Sequence, residues 1–300
     1  MSTYKEPEVF LREAIESILR QSYQDFEFII LLDNPDNTKH ISIIEAYAKQ
    51  DKRIRFFINE QNMGLTKSLN KALQHAKGEY IGRMDADDIS LKDRLKKQLR
   101  YIERYNYDLI GGITQIIDEK KNTLYAIKHI PTNSGNIKKI VRYNQCIAHP
   151  TWLGRKALFE QVGGYREMPL CEDYDLTLRA LMKGFKISNF DETVLQYRMS
   201  TQSISRNNLL RQFLYMKYIG KEYKKQRVAS IDDAHKYVKK HYSIAKEKRY
   251  KQANIYFNAM LKSLQNKQFI KFIINGVKLC FTSCTYLQKI FRLFMVSIYK

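Results

Sequence analysis

The stretch Glu79–Arg94, EYIGRMDADDISLKDR, decides the reading of this chain. Tyr80 to Met84 is an apolar run suited to a strand. It stops abruptly at Asp85-Ala86-Asp87-Asp88, and a helical pattern opens at Leu91. Three carboxylates within four residues repel one another unless a cation sits among them. Crevices at the C-terminal ends of parallel strands are where α/β proteins bind ligands. Hard oxygen donors of this kind suit Mg²⁺ or Mn²⁺, which commonly arrive bridged to phosphate oxygens. The other reading on spacing alone is an acidic loop that caps the following helix, because Asp favours helix starts.

Working outward, the flanking chain alternates between strand and helix patterns. Upstream, Pro7 opens a helix through EVFLREAIESILRQS, with Phe10, Ala14, Ile15, Ile18 and Leu19 on one face. Phe26 to Leu32 is an apolar run interrupted only by Glu27, as expected of a strand buried on both faces, and it ends in the turn cluster from Asp33 to Asn37. A helix over Lys39–Gln50, a strand over Ile54–Ile58, a turn at Asn62-Met63-Gly64 and a helix over Leu65–Ala76 complete the approach to the acidic stretch. Downstream, the patterns predict a helix over Leu91–Tyr105 and a strand over Asp108–Ile117. An extended excursion follows near 122–131, then a helix over Asn133–Tyr143 and a short strand or loop over Ile147–Leu153. Helices are predicted over Arg155–Val162 and from the Leu170–Leu176 stretch to Lys183, and strands over Lys186–Phe190 and Val194–Met199. Strands alternating with helices imply an α/β fold, with a mostly parallel sheet flanked by helices.

Charge divides the chain. The net charge is +21, yet Ser205 to Lys300 alone holds 21 Lys and Arg against 4 Asp and Glu. The last third is thus a basic module, of a kind that binds anionic lipid or nucleic acid, or simply presents a solvated helical surface. From Gln268 to Lys300, apolar runs such as Phe269-Ile270 and Phe272-Ile273-Ile274 are broken by Lys271, Lys278, Lys289 and Arg292. This fits a helix lying in a membrane interface, with core or oligomer packing as the alternative. No apolar run reaches the roughly 18 residues of a spanning helix. MSTYKEPEVF has no apolar core, so no secretory signal is expected. The four cysteines form no CxxC pair or zinc spacing and suit a reducing compartment. The expected location is therefore cytoplasmic, peripheral to the inner face of the cell membrane.

Several motifs stand in order: MSTY at the start, REAIESILRQSYQDFEFIILLD, NMGLTKSLNKAL, GEYIGRMDADD, AHPTWLGRKALFEQVGGY and CEDYDLTLRALMKG. Together, from Ser2 to about Ser203, they resemble family 2 glycosyltransferases of the GT-A fold, close to bacterial enzymes of capsular and exopolysaccharide assembly. The resemblance implies that Asp85-Ala86-Asp87 is the DxD motif, with Asp87 a metal ligand and Asp85 supporting the metal or contacting the ribose. It implies that Asp33 pairs with the donor base, usually uracil, that Ser2 contacts the nucleotide and that Asp173 is the catalytic base. Asn62, Lys67 and Arg83 lie on the donor side of the pattern. His149, Trp152 and Glu172 lie on the acceptor side.

Chemistry supports those roles independently. A divalent cation (Mn²⁺ or Mg²⁺) stabilises the departing nucleotide diphosphate as a Lewis acid, and a carboxylate gives the acceptor hydroxyl's proton somewhere to go. Displacement from the face opposite the leaving group inverts the anomeric centre, as the resemblance also implies. Glu172 beside Asp173 is expected to raise the pKa of Asp173 by like-charge repulsion. The competing reading of that pair is a helix N-terminus favoured by the macrodipole. The Arg198 to Ser205 stretch resembles a loop that closes over the donor, here without the His that some relatives use as a metal ligand.

One departure stands at the start. The family pattern carries about five apolar residues ahead of MSTY, so the first strand here is cut short. A missing strand would leave ladder groups exposed on its neighbours. The expected organisation is a transferase domain over 1–204 and a basic helical region over 205–300. The expected partners are a UDP-sugar, a glycan or lipid-linked acceptor and an anionic membrane surface. Two alternatives belong to other classes: an inactive glycosyltransferase-like partner in an assembly complex, and a nucleic-acid-binding protein. The second is disfavoured because no zinc-finger or RNA-binding signature is present and a metal-free acidic cluster repels phosphate.

Overall fold

Pro7, with φ −53°, presets the first turn of α1 (Glu8–Leu19), and its carbonyl accepts from the Phe10 and Leu11 amides. The buried face of α1 is Leu11, Ala14, Ile15 and Ile18. The computed structural model describes residues 1–127, 129–199 and 207–299, which divide into two compact units. The first comprises residues 1–138, 145–167 and 172–200, and the second residues 139–144, 168–171 and 201–300.

The first unit begins with a parallel three-stranded sheet of β1 (Ser2–Thr3), β2 (Phe28–Leu32) and β3 (Ile54–Ile58), in that spatial order. The helices α2 (Thr38–Gln50) and α3 (Leu65–His75) connect and cover it. Asn37 caps α2 by accepting from the His40 amide. β1 is two residues long and is extended by Met1: the Met1 nitrogen donates to the Ile29 carbonyl at 2.8 Å, and the Leu31 amide donates to the Met1 carbonyl.

A mixed second sheet follows, built from β4 (Tyr80–Gly82), β5 (Ile89–Ser90), β6 (Leu109–Ile117), β7 (Thr123–Ala126), β8 (Leu153–Arg155) and β9 (Ile187–Arg198). Its order is β4-β8-β6-β9-β5, with β7 paired to β6. The long central pair β6 and β9 is parallel. The helices of this half are α4 (Arg94–Arg104), α5 (Ser134–Ile140), α6 (Lys156–Val162) and α7 (Glu172–Met182). A Cβ at Gly112 would stand 2.6 Å from Val194 Cγ2, so the close contact of β6 with β9 requires glycine there.

Three local expectations change. The helix expected from Leu91 starts at Arg94, because Ile89-Ser90 first pairs with β9 and the Leu91 amide continues to the Val194 carbonyl. The two strands expected over Lys186–Met199 are one, since β6 pairs with both ends of β9 across a bulge. His149, expected on a strand, lies in a 3₁₀ turn, His149–Thr151, with Pro150 inside it.

The second unit is helical: α8 (Leu209–Lys224), α9 (Ile231–His241), α10 (Ile244–Gln265), α11 (Phe269–Thr282) and α12 (Cys284–Ile298). Its core includes Leu210, Phe213, Leu214, Ile219, Val238, Tyr250, Leu279 and Tyr286. The interfacial stretch expected as one helix is two. Ser283 leaves helical geometry at φ −155° and caps α12 by accepting from the Tyr286 amide. No described helix is long and apolar enough to cross a membrane.

Candidate active site

The loop Asp85–Asp88 joins β4 to β5, and Ala86 is tucked into the core between its acidic neighbours. This turns Asp85, Asp87 and Asp88 to a common point: one oxygen from each lies within 4.8 Å of the others. Among the described residues this is the one group of three metal-capable side chains. Asp88 is 0% exposed; its Oδ1 accepts from the Arg198 amide at 2.9 Å, and its Oδ2 has no hydrogen-bond partner. An orphaned, buried carboxylate oxygen beside two more carboxylates fits a hard divalent cation such as Mg²⁺ or Mn²⁺. Without one, burial and then the charge of Asp85 push Asp87 up to about 7, and the same causes with Asp87 added raise Asp88 well above the usual carboxylate range. Sequence reasoning named Asp87 and Asp85 as metal ligands; the fold gathers the buried Asp88 into the same cluster.

Arg198, at the end of β9, clamps this loop. Its Nε donates to the Asp87 carbonyl at 2.8 Å, its Nη1 to the Glu119 carbonyl, and its Nη2 pairs with Glu13. Its guanidinium lies 4.0 Å from the centre of the Phe10 ring. The sequence placed Arg198 only at the start of a stretch resembling a loop that closes over the donor, and no local signal marks it as a clamp. The rest of that loop, from Ser200 to Ser205, lies outside the described residues.

The donor-side residues are distributed more widely than the motif order suggests. Ser2 forms a parallel bridge to Asp85. Arg83 is buried and pairs with Asp85. Asp33 is buried too, but its oxygens accept from Asn59 Nδ2 at 2.7 Å and from the Met63 and Gly64 amides at 2.8 Å each. Asp33 thus organises the 59–64 loop, in which Asn62 Oδ1 also accepts from the Gly64 amide. Gly64 takes φ +82°, a conformation that favours glycine. Lys67 is not brought to the acidic loop; it is half-exposed and pairs with Glu167 at 3.5 Å.

The second carboxylate pair opens α7. The Asp173 Oδ1 accepts from the Tyr174 amide at 2.6 Å, and Oδ2 from Gln145 Nε2 at 3.4 Å. Burial raises the Asp173 pKa, opposed by those hydrogen bonds and by Arg83. The expected like-charge effect falls on the other partner: burial, then Asp173, pushes Glu172 up to about 7. The charges of Arg83 and Asp85 act on Glu172 as well, so the two acidic clusters share one field.

His149 is buried, and its Nε2 stands 2.8 Å from the Tyr165 hydroxyl. Burial, then Arg83, holds its pKa well below the ordinary imidazole value. Trp152, assigned to the acceptor side, is corrected. It is 0% exposed, donates to the Ile147 carbonyl and packs edge-on against His149, so it is core and no acceptor reaches it. Tyr165 was missed by sequence reasoning. It is tied to α3 through Asn70, whose side chain bonds both its amide and its carbonyl, and only the GGY turn hinted at its position.

A strand-end acidic loop and a helix-start carboxylate pair on this α/β scaffold belong to the class of glycosyltransferases with the GT-A fold. Solved structures carry the same architecture. TarS of S. aureus, residues 1–349, aligns at a TM-score of 0.59 and 18% identity, covering 91% of this chain and 87% of that one. The same fragment in complex with UDP aligns at 0.60 and 17%. The model of glycosyl transferase family 2 matches residues 1–163, and the chain belongs to that family. The glycosyltransferase MJ1057 of Methanocaldococcus jannaschii is 37% identical over 228 residues, covering 76% of this chain and 79% of the relative. The O-antigen biosynthesis glycosyltransferase WbnJ of Escherichia coli is 33% identical over 198 residues, 65% of this chain and 77% of the relative. The amylovoran biosynthesis glycosyltransferase AmsE of Erwinia amylovora is 25% identical over 202 residues, 67% and 75%.

Proposed function

We propose that this protein is an inverting, divalent-cation-dependent glycosyltransferase. It moves a sugar from a UDP-sugar to a lipid-linked glycan in surface polysaccharide assembly such as a capsule. The transferase domain spans 1–204, and the basic region 205–300 holds it against the anionic cytoplasmic face of the membrane. The observation that carries this reading is the joint field of the Asp85/Asp87/Asp88 cluster and the Glu172–Asp173 pair, with Arg83 acting on both. The relatives in polysaccharide biosynthesis and the UDP complex of TarS support the donor and acceptor classes.

In this reading Asp85, Asp87 and Asp88 hold Mn²⁺ or Mg²⁺; when bound, the cation supplies Lewis-acid stabilisation of the diphosphate leaving group. Ser2 and the 59–64 loop flank the nucleoside, with Asp33 fixing that loop. Asp173 accepts the proton of the acceptor hydroxyl. The freed oxygen forms its bond to the anomeric carbon on one face while the bond to the diphosphate oxygen breaks on the other, which inverts the centre. The raised pKa of Asp173 suits a general base, since a base works best with a pKa near the operating pH.

Calorimetry of UDP with Mn²⁺ tests the site. The native chain binds, Asp87→Ala loses the metal-dependent binding, and Asp173→Asn binds UDP but loses roughly 10²-fold or more in transfer once the sugar is matched. Equal UDP binding by the native chain and Asp87→Ala would reject the assignment.

A further inference from the structure

We propose that Lys217, Lys221 and Lys224 of α8, Arg292 of α12 and Arg142 of the turn after α5 form one binding site, within the second unit, for the phosphate of a lipid headgroup of the phosphomonoester or diphosphate kind. The proposal rests on the membrane reading of the basic region and narrows it from a diffuse attraction to one site.

Three segments bring the cations together. Lys217, Lys221 and Lys224 stand at i, i+4 and i+7, so they share one face along about 10 Å of α8. The Lys217 ammonium donates to Gln288 Oε1 at 2.6 Å, which sets it beside α12 one turn before Arg292. Tyr143 joins the other end: the Lys224 ammonium lies 4.3 Å from the centre of its ring, and Arg292 Nε donates to its carbonyl. Arg142 is the residue before Tyr143, and its charge acts on Lys224.

Among the described residues of this unit, the carboxylates that form ion pairs are Glu222, Asp233 and Glu247, and their partners are Lys225, Arg227, Lys236 and Lys251. Lys217, Lys221, Lys224 and Arg142 form no ion pair among the described residues. Burial, then Arg292 and Lys221, pulls the Lys217 pKa below the ordinary lysine value, and burial, then Arg292 and Arg142, does the same at Lys224. Cations that repel one another favour a shared multivalent anion. Phosphate suits the set, because the Arg fork takes two of its oxygens while the lysines act as point charges.

The source of that phosphate follows from α12. Phe291, Phe294 and Ile298, at i, i+3 and i+7, are exposed along another line of the helix that carries Arg292. A soluble phosphate has no use for such a line. A lipid engages both, with its headgroup on the cations and its chains along the apolar side.

The test compares cosedimentation of the full chain with vesicles carrying phosphatidic acid, a phosphomonoester, and with vesicles carrying phosphatidylglycerol, a phosphodiester, at matched surface charge. The native chain is expected to bind the phosphomonoester at least about tenfold more tightly. Lys221→Gln with Lys224→Gln, both exposed, should lose that preference yet keep binding to phosphatidylglycerol. Lys239→Gln with Lys240→Gln on α9, equal in charge and also exposed, should keep the preference. Should the first variant unfold by circular dichroism, the exposed Arg142→Gln replaces it with the same expectation. Equal binding of the two lipids by the native chain, or a preference that both lysine pairs lower alike, overturns the site while leaving the membrane attraction in place. Pyrophosphate that binds in calorimetry as tightly as the phosphomonoester vesicle, or tighter binding of a single-stranded oligonucleotide, overturns the lipid source. Failure to bind either vesicle rejects the membrane reading and the site with it.

Discussion

Glu172 and Asp173 are neighbours in sequence, yet they differ in what surrounds their oxygens. Asp173 has an amide, a glutamine and the field of Arg83 to offset its burial, and Glu172 has Asp173 beside it. Glu172 keeps its proton up to about pH 7 in the folded chain and loses it near the ordinary 4.5 when unfolded. Its contribution to stability is therefore present below the unfolded pKa and is lost as pH rises through about 7. Glu172→Gln should match the native chain near pH 5 and exceed it at pH 8. The difference should be about 1–2 kcal/mol, because the side chain keeps some contact with water. Urea denaturation at the two pH values checks this; a difference independent of pH would exclude Glu172 as the titrating group. The two-carboxylate motif was legible in the chain. Which carboxylate bears the repulsion was not, because that depends on Gln145 and Arg83, which are distant in sequence.

At the scale of elements, the acidic loop depends on strands and helices far from it. β4 delivers the three aspartates, but β9 holds them through Arg198, and α1 supplies Glu13 and Phe10 to hold Arg198 in turn. Arg198 is fully buried at its charged end and Glu13 is a quarter exposed. Removing one partner of such a pair leaves a buried charge uncompensated. Arg198→Met is therefore expected to cost about 2–4 kcal/mol in urea denaturation and to weaken Mn²⁺ binding. Native stability and unchanged Mn²⁺ affinity in this variant would show that Arg198 does not clamp the loop. Strand and helix patterns along 1–199 were legible because buried strands are continuous apolar runs and helices repeat at 3.6 residues. The 3₁₀ turn at His149 and the merger of two strands into β9 were not legible, because β6 imposes them through pairing rather than local preference.

The whole molecule separates a nearly balanced α/β unit from a basic helical one. In the second unit α11 turns Phe269, Ile270, Ile273, Ile274, Val277 and Phe281 outward, the last 89% exposed, with Lys271 and Lys278 beside them. An apolar helix face flanked by cations, on a region with 21 Lys and Arg against 4 Asp and Glu, matches an anionic lipid surface in both shape and charge. Cosedimentation with vesicles containing anionic lipid is expected at about 0.1 M salt and should fall as salt rises toward 1 M. Ile270→Asp with Phe281→Asp should abolish it without unfolding the chain. Equal binding to neutral vesicles would reject the membrane reading.

The sequence alone determined the α/β class, the family, the acidic motif and the basic last third, because periodicity, composition and motif order are local properties of the chain. The tertiary structure decided the rest. It showed Asp33 to be a loop organiser, Trp152 to be core and Arg198 to be a clamp. Asp33 and Arg198 act through contacts between segments 26 to 185 residues apart, and such contacts form only when burial brings distant elements together.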